Sequence, residues 1–213
     1  MRFAVLTGDI VNSTALGAPE VTQIVDVLRD GVDDIADWST HTMTTGFRQR
    51  GGDSWQAALS EPTLALRAAL YLRAIVRRIA KTHDTRIALA EGPGTLPADG
   101  DTNAAHGPAF TASGRLLTAL PSGCLMSHAA GGAKAAAVVL ADQIARGWTP
   151  AQARAVAELL PPAPGTHLDA AKRIGVSRQA VDQALDAAGF AAIEAALHAW
   201  EQANPLASPE SKP

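Results

Sequence analysis

Two aspartates stand at places where a chain turns. Asp9 follows Gly8 after the apolar run Arg2 to Thr7, and Asp53 ends the triplet Gly51-Gly52-Asp53 between the runs Met43 to Arg50 and Ser54 to Leu59. Two converging carboxylates beside a phosphate-sized space are the usual minimum for Mg²⁺, which keeps several waters and shares its other positions with substrate phosphates. Each aspartate taken alone reads more readily as a turn or cap residue, so the chemistry depends on whether the fold brings the pair together. A second group lies near the C-terminus, where Ser177 caps a stretch with Val181 and Leu185 facing inward and Arg178, Gln179, Asp182 and Gln183 outside. Arg and Gln near a helix start suit bidentate contacts to guanine and adenine edges in the major groove, which makes these residues candidates for DNA contact.

Other reactive side chains promise less. His83 and His106 have no sequence neighbours that would complete a ligand set and read as surface or capping residues. Cys124 sits in an apolar run with no basic neighbour to lower its pKa. Arg73, Arg77, Arg78 and Lys81 read as a solvated helix face, and Trp38, Trp148 and Trp200 as core packing at helix ends.

The elements that must position these groups follow from periodicity. Arg2 to Thr7 reads as a buried strand, and Val21, Ile24, Val25, Leu28, Val32 and Ile35 recur at helical spacing up to Trp38. The two runs around Gly51-Gly52-Asp53 read as a β-hairpin, with Trp55 pointing into the core. Glu61-Pro62 opens a helix expected to reach Ala80, with Arg67, Arg77, Arg78 and Lys81 on its polar side. A strand over Asp84 to Glu91, a long polar loop from Gly92 to His106, a helix over Gly107 to Leu120 and a strand over Gly123 to Ser127 complete the region. This order is the split-βαβ, ferredoxin-like plan with an appended helix and strand, an α+β fold that sets the first strand beside the hairpin and lets Asp9 and Asp53 meet at one edge. Beyond Ala129-Ala130-Gly131-Gly132 only helices are expected: Ala133 to Arg146, one capped at Thr149-Pro150, one capped at Thr166, one capped at Ser177, and a last from Phe190. The expected division is residues 1–130, an all-α domain at 131–205 and a flexible tail at 206–213.

Composition narrows the classes. The 213 residues are 47% hydrophobic and 18% charged, enough for a real core and too apolar for a disordered chain. A net charge of −3 argues against a surface built as a whole to attract nucleic acid or anionic lipid, so any such site is local. One cysteine permits no internal disulfide, and no apolar run approaches the about 20 residues of a membrane span. A cytoplasmic protein, neither exported nor embedded, is expected.

Thr166 to Leu185 has helix-turn-helix grammar: small Ala170 or Ala171 at the helix contact, Gly175 to turn, Val176 to pin the turn into the core, and Ser177 as cap. Three basic residues (Lys172, Arg173, Arg178) and three acids (Asp169, Asp182, Asp186) balance between Thr166 and Ala188, so phosphate attraction per chain is weak. Two units on one duplex would offset this, while the same geometry also serves a module that dimerises or grips another protein.

Phe3 to Thr14 resembles the first-strand metal motif of class III nucleotidyl cyclases. Arg50-Gly-Gly-Asp-Ser-Trp55 resembles their hairpin motif and that of GGDEF diguanylate cyclases. Gly107-Pro-Ala-Phe-Thr-Ala-Ser-Gly-Arg-Leu116 is similar to the cyclase helix that carries an asparagine and, four residues on, an arginine. Over nearly its whole length the chain resembles the SatD family, small bacterial proteins that join a cyclase-like core to a C-terminal helix-turn-helix. The resemblance implies Asp9 and Asp53 as metal ligands with Mg²⁺ or Mn²⁺ as cofactor, and Arg115 as the arginine that stabilises the transferring phosphoryl group. Thr111 stands where the asparagine orients the ribose, and Gln49 at a base-selecting lysine between Arg48 and Arg50. The second base-selecting position falls near Asp101 or Thr102. In the GGDEF comparison Ser54 and Trp55 replace the Glu-Phe pair. The expectation is a homodimeric DNA-binding transcriptional regulator whose cyclase-like domain senses a nucleotide. The alternative is an active nucleotidyl cyclase.

Overall fold

In a computed structural model that describes residues 1–39 and 41–203, a five-stranded sheet carries the N-terminal region. Its strands are β1 (Arg2–Ile10), β2 (Thr45–Gln49), β3 (Ser54–Leu59), β4 (Thr85–Pro93) and β5 (Met126–His128), in the order β2-β3-β1-β4-β5. The first four pair antiparallel in the split-βαβ order, and β5 adds parallel to β4. The period of two along β1 divides its side chains between faces: Ala4, Leu6 and Ile10 enter the main core, while Phe3 and Val5 enter a smaller one. The main face is covered by α1 (Ala18–Ala36) and α2 (Ala65–Arg77), and the other by α3 (Pro108–Ala119), whose Ala109 and Phe110 pack on Phe3 and Val5.

Five further helices follow: α4 (Gly132–Arg146), α5 (Pro150–Leu159), α6 (His167–Ile174), α7 (Arg178–Ala187) and α8 (Phe190–Ala203). Local signals place their starts. Thr149, Thr166 and Ser177 each accept a hydrogen bond from a backbone N–H in the first turn, and Gly175 ends α6 at φ 79°, a conformation that costs glycine little. The buried cluster runs without a break from Leu6 on β1 and Leu70 on α2 to Val138, Trp148, Val156 and Leu197. No helix among the described residues is long and apolar enough to cross a membrane. The tail expected at 206–213 lies outside the described residues.

The C-terminal helices change the reading of α2. Every residue from Ala65 to Val76 is buried, because α4, α5 and α8 pack on the side that periodicity assigns to solvent. Arg67 donates to Leu160 O at 2.7 Å and to Glu201 at 2.6 Å, so it is an interior residue and not part of a polar face. Arg73 has no exposed side-chain surface, and Arg77 is nearly as deep; these two are not the solvated group expected. The same helix ends at Arg77 and not at Ala80, and begins after a single 3-10 turn at Pro62–Leu64. His83 is also buried, contrary to the surface role expected, beneath the start of α1 with Glu20 at 3.9 Å. Val176 departs in the opposite sense: at 44% exposed it does not pin the turn, and Ala170, Ala171, Val181 and Leu185 form that contact instead. Cys124 precedes the fifth strand, which starts only at Met126.

Arg73 lies between two carboxylates. Its Nε donates to Asp84 Oδ1 at 2.8 Å and its Nη1 to Asp142 Oδ1 at 2.5 Å, while Arg77 reaches Asp84 Oδ2 at 2.6 Å. Asp142 also accepts from Leu125 N–H at 2.8 Å, which joins α4 to the segment that enters β5. Burial alone would lower the Arg73 pKa, but its bonds to Asp84 and the charge of both acids raise it, so the cation persists in the interior. Removing one partner from such a buried set costs about 3–5 kcal/mol because charge is left uncompensated. Arg73→Ala should therefore lower the urea unfolding free energy by about that amount.

A second buried polar set ties α4 and α8 to β4 and β5. Lys134 donates to Glu91 Oε2 at 2.5 Å and lies 5.1 Å from the centre of the Trp200 ring, and His128 Nε2 stands 3.6 Å from Glu91 Oε1. Burial would raise the Glu91 carboxyl, yet His128 and Lys134 outweigh it and hold the group below its ordinary range. A depressed folded-state pKa gives stability that is present above the unfolded value of about 4.3 and lost as pH falls through the folded one. Urea unfolding of Glu91→Gln should show a shallower acid loss of stability than wild type over that window.

Candidate functional site

Asp9 and Asp53 come together at one end of the sheet. In the β1 register Asp9 lies opposite Ser54 on one side and Arg86 on the other, so its side chain shares the face on which α3 packs. Asp53, in the hairpin turn, accepts a backbone hydrogen bond from Ile10 at 3.2 Å, and one of its side-chain oxygens accepts from the Ser13 hydroxyl. Gly8 makes this close meeting of strands possible. A Cβ on it would stand 2.5 Å from the Arg86 carbonyl oxygen and 2.5 Å from the Trp55 ring. Trp55 in turn donates to Thr85 Oγ1 at 2.9 Å, and that hydroxyl donates to the Asp9 carbonyl at 2.7 Å.

Arg86 is the residue that sequence reasoning missed. Its Nε donates to Asp9 Oδ1 at 2.7 Å and its Nη2 to Asp9 Oδ2, a fork that engages both carboxylate oxygens. The bonds to Asp9 and the charges of Asp9 and Asp53 raise the Arg86 pKa against the cost of burial. Only the β1 to β4 register reveals the pairing, since the two residues are 77 positions apart. Ser13 was likewise unmarked; it follows Asn12, which bends the chain at φ 55°.

The residues fit a divalent cation poorly as they stand. Both Asp9 oxygens are taken by a guanidinium, one Asp53 oxygen by a hydroxyl, and no group of three His, Cys, Asp or Glu among the described residues is arranged for a metal.

The remaining predicted residues divide between the two faces. Gln49 lies opposite Trp55 and so shares the α1 face; it donates to Gly52 O and lines an open groove of about 430 Å³ with Ser13, Leu16, Val21 and Asp53. Its neighbours reach the other side: Arg48 pairs with Asp101 at 3.3 Å, and Arg50 donates to Thr102 O at 3.0 Å. Residues 48–50 and 101–102 are thus brought together, with Thr102 fully buried and Asp101 half-buried. On α3, Ser113 is buried together with Ala109 and Phe110. Gln56 donates to Thr7 Oγ1 at 2.8 Å, Thr7 and Ser113 share a 2.7 Å bond, and Ser113 donates to Phe110 O at 3.1 Å. Thr111 and Arg115 flank it on exposed positions of α3, and no hydrogen bond or ion pair joins either to Asp9 or Asp53 among the described residues.

On α7, Arg178, Gln179 and Gln183 are exposed opposite the buried Val181 and Leu185. Asp182 sits among them and pairs with His167 Nδ1 at 2.6 Å and with Arg178 Nε at 3.6 Å. Arg173 is turned back onto Glu158 at 2.5 Å and the Pro164 carbonyl at 3.1 Å.

No protein-family model and no curated protein matches the chain. Among solved structures it is similar to the dimeric guanylyl cyclase domain of the RhoGC fusion protein from the aquatic fungus Blastocladiella emersonii, with 18% identity and a TM-score of 0.42 over 55% of this chain and 73% of that one. It is also similar to the guanylyl cyclase Cya2, with 15% identity and a TM-score of 0.44 over 62% of this chain and 79% of that one. Both likenesses are distant and concern fold.

Crowding at Gly8 gives a direct check on how the Asp9 end of the sheet is held. Overpacking a filled interior costs about 1–3 kcal/mol, so Gly8→Ala should lower the urea midpoint accordingly, with Trp55 fluorescence reporting the displaced ring.

Proposed function

We propose that the chain is a DNA-binding regulator that acts as a homodimer, with α7 entering the major groove and the sheet region, residues 1–130, serving as the dimerising and ligand-responsive body. The observation that carries this reading is the exposed arc of α7. Arg178 and Gln179 open the helix just after the Ser177 cap, Gln183 lies one turn on, and the opposite side is buried. These are side chains that hydrogen-bond base edges bidentately, and they stand where a recognition helix carries them. The resemblance of nearly the whole sequence to the SatD family is in keeping with the same reading. Few cations remain for phosphates, since Arg173 is spent on Glu158 and Arg178 is shared with Asp182. Each phosphate contact contributes a slope of about −0.9 to log K against log salt, so a regulator built this way has a shallow salt dependence and needs two chains for useful affinity.

A nucleotide is the ligand class suggested for the sheet region by the stretches similar to cyclases. The second reading is a nucleotidyl cyclase that uses Mg²⁺ or Mn²⁺. It is favoured by Asp9 and Asp53 meeting at one strand end, and disfavoured by the Arg86 fork on Asp9 and by Thr111 in the place of an orienting asparagine, because misplacing a reacting group costs orders of magnitude in rate.

Selection of genomic fragments on the purified full chain tests the first reading. A two-fold symmetric sequence should be enriched, and Arg178→Ala with Gln179→Ala should weaken its binding at least about tenfold, since each bidentate contact is worth about 1–3 kcal/mol. No enrichment even at low salt would overturn it. Cyclic or dinucleotide product, found by mass spectrometry after incubation with the four triphosphates and Mn²⁺, would establish the second.

A further inference from the structure

An acidic pair that accepts a divalent cation must present free carboxylate oxygens, because Mg²⁺ and Mn²⁺ take oxygen ligands in a near-octahedral shell. The Asp9–Asp53 pair presents few. Arg86 takes both oxygens of Asp9 through its planar fork, and Ser13 takes one of Asp53. Register fixes this arrangement. Asp9 and Arg86 are directly opposed residues of adjacent central strands, and the carbonyl of Arg86 is held against Gly8. The guanidinium therefore needs no movement of its backbone to reach Asp9, and its side chain is 39% exposed, so it shields the pair from solvent on that side.

The charge balance points the same way. Arg86 carries the positive charge that a metal would otherwise supply to Asp9, and a second cation placed beside it would meet repulsion as well as occupied ligands. Arg, unlike Lys, is suited to this because its fork matches both carboxylate oxygens at once.

We propose that Arg86 is the resident counter-ion of the Asp9–Asp53 pair and decides its ligand class: with Arg86 in place the pair excludes divalent cations, and without the guanidinium it binds one. The proposal concerns only this end of the sheet and does not depend on DNA contact by α7, so failure of either leaves the other standing.

The test titrates the full-length chain with Mn²⁺ alone and follows the electron paramagnetic resonance signal of free Mn²⁺. Arg86→Gln should bind Mn²⁺ at least about tenfold more tightly than wild type, equivalent to about 1.4 kcal/mol, and Asp9→Asn added to it should abolish the gain. Circular dichroism and urea unfolding check that each variant is folded. Wild type binding Mn²⁺ as tightly as Arg86→Gln overturns the proposal, as does a folded Arg86→Gln that binds none. Should Arg86→Gln fail to fold, Arg86→Lys carries the test, since a single ammonium cannot cover both Asp9 oxygens. It should bind Mn²⁺ more tightly than wild type, and equal affinity overturns the proposal.

Discussion

Arg73 is held between Asp84 at the head of β4 and Asp142 on α4, with no exposed surface of its own. A cation cannot stay in an apolar interior without such partners, so this one arrangement obliges α2, β4 and α4 to keep a fixed geometry. The consequences reach in two directions. Through Asp142 and its bond to Leu125 N–H it sets the path into β5, and hence the start of the C-terminal helices. Through Asp84, whose carbonyl accepts from Val11 N–H at 2.9 Å, it also fixes the chain just past Asp9. The sheet end that carries the acidic pair and the helices that carry α7 are thus attached to the same buried ionic group.

The acidic end of the sheet is built by close approach. Gly8 leaves room for Trp55, Trp55 holds Thr85, and Thr85 holds the Asp9 backbone, while Arg86 closes over its carboxylate. On the same face the Gln56–Thr7–Ser113 chain binds α3 to the strands and leaves Thr111 and Arg115 outward, away from the acids of their own chain.

Much of the site was legible in residue types. The positions of Asp9 and Asp53 are readable because a strand ending in Gly-Asp and a Gly-Gly-Asp turn are local signals, and the split-βαβ order sets the first strand beside the hairpin. Gln49 was only half placed. The hairpin was visible, but whether position 49 shares a face with Asp9 depends on a register with period two, and it falls on the opposite face. Arg86 was invisible for the same reason, as one charged residue in an otherwise apolar strand with no local mark of its partner.

The order of strands and helices, the capped starts at Thr149, Thr166 and Ser177 and the turn at Gly175 were determined by the sequence alone, since each depends on contacts within one or two helical turns. The tertiary structure alone decided the fate of the arginines. The periodicity of α2 marks one apolar stripe, yet α4, α5 and α8, drawn from much later in the chain, cover the opposite side, bury Arg67 and Arg73, and leave Arg77 only partly exposed beside Asp84. Burial and pairing are properties of packing between distant segments, and a charged residue carries no sign in its own neighbourhood of the partner that will neutralise it.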